Sequence, residues 1–143
     1  MIMDKENQFS AAQAITAAAN STNVIDSSAA GEDLGAGENL FIVAVVTTAF
    51  TDAGSDSTLN VSLQTDDNSA MASPTVIQDL FTFPALSPVG TKKIARIQPA
   101  TFERYVGLVY TPANGNLTAG AVSAMIVKDA DIQKFYPDAI NIA

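Results

Sequence analysis

Residues 40–50 read LFIVAVVTTAF, and both alternating sets of positions are apolar: Leu40, Ile42, Ala44 and Val46 on one, Phe41, Val43 and Val45 on the other. Side chains along a strand alternate between its two faces, so this pattern marks a strand covered on both. The cover is expected from a second sheet or from another subunit. Past the turn TDAGSDS, residues 58–66 read TLNVSLQTD, with Leu59, Val61 and Leu63 alternating against Asn60, Ser62 and Gln64. That is a half-buried strand with one apolar and one polar face. Two such strands in succession, with turn residues and no amphipathic helix between them, point to an all-β protein.

The same rhythm extends in both directions. Upstream, STNVID (residues 21–26) is a short β-type run, closed by Asp26 and the serines after it, and SSAAGEDLGAGEN (27–39) is a glycine-bearing loop. Downstream, TVIQDLFTF and KKIARIQ read as strands, separated by the Pro/Gly linker FPALSPVGT. In PATFERYVGLVYT, alternation places Phe102, Arg104, Val106, Leu108 and Tyr110 on one face. PANGNLT is expected to form a hairpin connection, because Asn114-Gly115 tolerates positive φ, with AGAVSAMIVKD as the returning partner strand. The tail DADIQKFYPDAINIA groups Ile132, Phe135 and Tyr136 at one-turn spacing before Pro137. Residues 1–21 form a polar, Ala-rich arm, either a short helix capped by Ser10 or an extended segment.

The expected architecture is a jelly-roll-like β-sandwich of about seven to eight antiparallel strands. Residues 1–21 are assigned to an N-terminal arm, and 22–143 to a single domain with a C-terminal tail from about residue 129. A chain of 143 residues suits one domain.

Composition narrows the chemistry. There is no histidine, cysteine or tryptophan. Their absence removes Ser-His-Asp and Cys-His nucleophile systems, thiolate and imidazole metal sites and disulfides. No enzyme activity, cofactor or metal is expected. Fifteen acids against seven bases give a net charge of −8. An acidic surface repels phosphate backbones and anionic lipid, so neither nucleic acid nor membrane is an expected partner. MIMDKENQFS carries charges where a signal peptide would be apolar, and the N-x-S/T matches at Asn20, Asn60 and Asn116 gain no weight without one. Synthesis in a host-cell cytoplasm is expected.

Each candidate site has a plainer alternative. Asp66-Asp67-Asn68 offers oxygens to calcium, but the spacing matches no EF-hand and a solvated turn is favoured. Glu32-Asp33 reads the same way, and Gly31, Gly35 and Gly37 lack the Lys-Ser/Thr of a phosphate loop. Paired carboxylates could serve a glycosidase, but no tryptophan is present to line its cleft. Tyr105, Tyr110 and Tyr136 could stack on sugars, making a carbohydrate-binding module the alternative function, although packing at a strand edge with the hydroxyl in solvent is favoured. The most informative feature is basic. Residues 1–91 hold eleven acids and one base, whereas 92–104 hold Lys92, Lys93, Arg96 and Arg104 against Glu103 alone. These four are candidate contacts to an acidic protein surface, or internal partners for the many acids.

Taken in order, MIMDKENQFSAAQAIT, STNVID, VSLQTDDNSAMASPTVIQ, SPVGTKKIARIQP, FERYVGLVYT and LTAGAVSAMIVKD resemble a capsid cement (decoration) protein family of tailed bacteriophages, of the Bordetella-phage type. The resemblance covers nearly the whole chain and rests on order and spacing, with no catalytic motif. It implies a jelly-roll fold and self-association, as a dimer rather than a trimer. It also implies attachment to the outside of a shell of HK97-like major capsid protein, bridging neighbouring subunits on the virion exterior. Contact elements implied by position are residues 1–21, 27–39 and 129–143, with Phe135 and Tyr136 as apolar contacts beside the four basic residues.

Overall fold

The computed structural model describes residues 5–27, 37 and 39–128. Among the described residues a 3-10 turn, Lys5–Asn7, leads into nine strands: β1 (Gln8–Ala14), β2 (Ala19–Asn20), β3 (Ile25–Asp26), β4 (Leu40–Thr51), β5 (Thr58–Asp66), β6 (Thr75–Phe83), β7 (Lys92–Arg96), β8 (Tyr105–Ala113) and β9 (Ala119–Lys128). One sheet runs β1-β9-β4-β7, and the other β2-β8-β5-β6, with β3 also paired to β8. All the pairings are antiparallel. The pairs nest: β5 with β6, β4 with β7, β2 and β3 with β8, β1 with β9. Such a nested ribbon rolls up when β9 meets β4 and β8 meets β5, which is the jelly-roll wind.

The roll encloses one main core. Ile42, Ala44 and Val46 of β4 face Leu59, Val61 and Leu63 of β5 and Val106, Leu108 and Tyr110 of β8, all buried. Phe50 and Phe83 close one part of the core edge to face, with centroids 5.7 Å apart. The opposite face of β4 is buried too. Val43 and Val45 form a second cluster with Met125 and Val127 of β9, and Phe41 is the described residue that packs against it. The two apolar sets of LFIVAVVTTAF therefore serve separate clusters on opposite faces of one sheet.

The polar set of β5 is less exposed than its alternation suggests. Ser62 and Gln64 are buried beneath a side-chain network. Ser62 Oγ donates to Asp79 Oδ1 (2.6 Å), and Gln64 Nε2 donates to Asn20 Oδ1 (2.8 Å). Side chains of β6 and β2 in the same sheet thereby give both buried groups a partner.

Three expectations need correction. Residues 8–21 do not form an arm outside the domain. β1 is an edge strand on β9, and Phe9 and Ile15 lie fully buried in the main core. The reason is that two well-spaced apolar side chains suffice to anchor a strand whose other positions are small or polar. A helix starting at Ser10 loses because Ser10 is taken into the interior. Residues 1–4 lie outside the described residues.

The second correction concerns PANGNLT. Asn114 and Gly115 do adopt positive φ, 64° and 122°. Yet β8 and β9 belong to different sheets, so the segment is an arch between layers and not a hairpin. Thr118 N donates to Thr51 O (2.7 Å), pinning the crossing to the end of β4. Gly120 is required there, since an added Cβ would sit 2.6 Å from Cδ1 of the buried Phe50 ring. Third, the single face proposed for residues 102–110 holds for Phe102, Val106, Leu108 and Tyr110, which share the main core, whereas Arg104 precedes β8 and turns to solvent.

Candidate functional site

Lys92, Lys93 and Arg96 all lie on β7, a five-residue edge strand. Lys92 pairs with Val45 and Arg96 with Phe41, so both share the outer face of the four-stranded sheet with Ile94. Lys93 pairs with Ala44, which faces the core, and is half-buried. The basic stretch is thus divided between two faces by strand geometry. Charged side chains at a sheet edge also discourage the addition of another strand. The far side of β7 is tied to β6 through Gln78, whose Nε2 donates to Arg96 O (3.0 Å) and whose Oε1 accepts from Gln98 N (2.9 Å).

Arg104 belongs to neither face of β7. Its Nε and one terminal nitrogen donate to the two carboxylate oxygens of Asp26, each at 2.9 Å. Its guanidinium lies 5.1 Å from the centroid of the Tyr105 ring. Hydrogen bonding and charge attraction from Asp26 hold the guanidinium pKa above its ordinary value. For Arg104 the internal-partner alternative is therefore the observed one: it fastens β3 to the start of β8. Phe135 and Tyr136 lie outside the described residues, as do Glu32 and Asp33.

The acidic stretch at the end of β5 is built as a loop staple. Asp66 is only 2% exposed. Its Oδ1 accepts from Asn68 N (3.1 Å) and its Oδ2 from Ser73 N (2.9 Å). The amide of Ser73 above all, with those of Asn68 and Asp67, holds the carboxyl pKa below the usual range against the opposing effect of burial. The turn is therefore less solvated than expected. Asp67 and Glu103 each bring an oxygen within 4.8 Å of Asp66, so the three form a small acidic group. Glu103 was not visible as a member from sequence, since Glu103 N reaches Thr65 Oγ1 (2.8 Å) across 38 residues of chain.

Tyr110, a candidate sugar platform, is fully buried. Its hydroxyl lies 2.7 Å from Ser10 Oγ, which itself donates to Gln13 Oε1 (2.7 Å). The serine proton being committed to Gln13, the tyrosine O–H donates to the serine oxygen. Burial pushes the tyrosine pKa well above its normal value. Tyr110 presents nothing to a ligand. Tyr105 is half-buried beneath Arg104, and Tyr136 lies outside the described residues.

A surface depression lies between the Lys5–Asn7 turn and residues 23–26. Its polar side chains are of both signs, and Asn23 is already fixed by donating Nδ2 to Gln8 O (2.8 Å). Among the described residues no helix is long and apolar enough to cross a membrane. The molecule is therefore an antiparallel jelly-roll sandwich whose distinctive side chains join its own strands. The chain belongs to the Bbp16 family, whose model matches residues 9–126. That family is named like a Bordetella phage protein and marks this chain as phage-associated. No curated protein sequence matches it.

Proposed function

We propose that this protein is a structural virion component, a capsid cement protein that binds the outer surface of an HK97-like major capsid shell and bridges its subunits. The observation that carries the reading is the match to a phage family across residues 9–126, on a scaffold whose polar groups fasten strands to each other. Cementing is done by binding energy and requires no reactive residue, so no enzyme activity is assigned. A surface of net charge −8 suits the outside of a particle, where solubility matters. Self-association as a dimer would let two modest contacts act together through effective concentration, so no single interface need be large.

Residues of β7 are the natural basic contacts within this reading. Lys92 and Arg96 flank Ile94 on the outer face, whereas Arg104 lies off β7, bound to Asp26. A direct test mixes purified protein with expanded shells that lack it and separates them on a density gradient. The protein should migrate with the shells. Folded protein remaining at the top of the gradient would sink the proposal.

A further inference from the structure

Residues 84–91 read PALSPVGT and fold as two tandem turns of one design. Each starts at a proline whose carbonyl accepts a hydroxyl three residues on: Ser87 Oγ to Pro84 O (2.7 Å), and Thr91 Oγ1 to Pro88 O (2.8 Å). Each has its third residue at positive φ. In the second turn that residue is Gly90, at 90°; in the first it is Leu86, at 56°. A side chain in this left-handed region crowds its own backbone, which is why glycine or asparagine usually occupies it. Leu86 accepts that strain while remaining 50% exposed, and Val89, at the second position of the next turn, is 48% exposed.

The loop beneath these side chains is firmly held. Phe50 N donates to Ser87 O (3.0 Å), Gly90 N to Val46 O (2.9 Å) and Val46 N to Thr91 O (2.9 Å). Ser87 is buried. Two apolar side chains therefore project from a braced platform, and little conformational entropy remains to be lost on contact. An observed strain at an exposed position points toward function.

We propose that Leu86 and Val89 form a preorganised apolar contact that enters a shallow, carboxylate-rimmed recess on the shell protein; this rests on the cement reading above. Two features select that occupant. Residues 84–91 carry no charge on a molecule of net charge −8 and run directly into Lys92 and Lys93, so an acidic partner meets no like charge from this segment and opposite charge beside it. Two half-exposed side chains are also far short of the roughly 800 Å² per partner of a stable dimer interface, but suffice for one of many repeated attachments.

The test uses full-length Leu86→Gly and Leu86→Asn, both of which suit positive φ. Wild type and variants are compared for thermal stability, for oligomer mass by native mass spectrometry, and for partition onto expanded shells. The expected result is a melting temperature equal to or above wild type, an unchanged oligomer, and attachment weakened by about tenfold. A lowered melting temperature would make Leu86 a packing residue and overturn the proposal. So would unchanged attachment, and so would loss of the oligomer, which would assign the loop to a second copy. Wild type failing to bind shells in the same assay would remove the cement reading itself, a separate outcome.

Discussion

Tyr110 carries its hydroxyl into the middle of the sandwich, where Ser10 from the other sheet meets it at 2.7 Å. The two sides of this bond are not equivalent. Tyr110→Phe leaves Ser10 still donating to Gln13, and should cost about 0.5–1.5 kcal/mol. Ser10→Ala leaves a tyrosine hydroxyl buried without its acceptor, and should cost about 1–3 kcal/mol. Urea denaturation of both variants and of the double variant checks this, with the double expected to fall short of the sum. Equal single costs that simply add would contradict it. A second residue-scale prediction concerns acid. Asp66, held by Ser73 and Asn68 amides, and Asp52, held by Asp56 and Ser57 against the larger single effect of burial, both have pKa values below the ordinary 3.8. Above pH 3.8 the carboxylates are ionised in both states and their stabilisation is complete. As pH falls below 3.8 the unfolded chain takes up protons first, so stability declines toward the lower folded values. Melting temperature should therefore drop more steeply below pH 3.8 in wild type than in Asp52→Asn/Asp66→Asn. Identical slopes would refute this role.

At the scale of elements, β4 and β5 were legible, β4 from a long unbroken apolar run and β5 from the apolar–polar alternation of its sequence over nine residues. β1 was not. Gln8–Ala14 has one large apolar residue, two register shifts against β9 and a positive φ at Ala12, so no regular period survives. Its place in the core makes a clear prediction. Phe9→Ala should destabilise the free domain by about 3–5 kcal/mol, read by thermal or urea unfolding. A loss below 1 kcal/mol would return residues 8–21 to the status of an arm. Deletion of residues 1–20 should accordingly lower stability as well as attachment. For β7, reversing Lys92 and Arg96 to glutamate should weaken attachment to shells and flatten its dependence on salt, while stability changes little. Attachment unchanged at low salt would leave these charges as guards of a sheet edge.

Across the whole molecule, the sandwich was predictable but its closure was not. Turn chemistry at Asn114-Gly115 specifies local φ values, and the same values serve a hairpin or an arch. Which one forms depends on β9 finding β1 and β4, contacts with partners 68 or more residues away. The site was less legible still. A run of bases in sequence separates into two faces of a strand and an Arg104–Asp26 pair, because alternation and a partner 78 residues away decide where each charge goes. Leu86 gave no signal of its own, since its strain exists only once the turn is folded. The proposed role is mechanical: strengthening a phage shell by bridging its subunits. Differential scanning calorimetry of expanded shells, stripped and then resupplied with the protein, tests it most directly. The higher-temperature shell transition should return in proportion to bound protein and then saturate. Bound protein with an unshifted shell transition would contradict it.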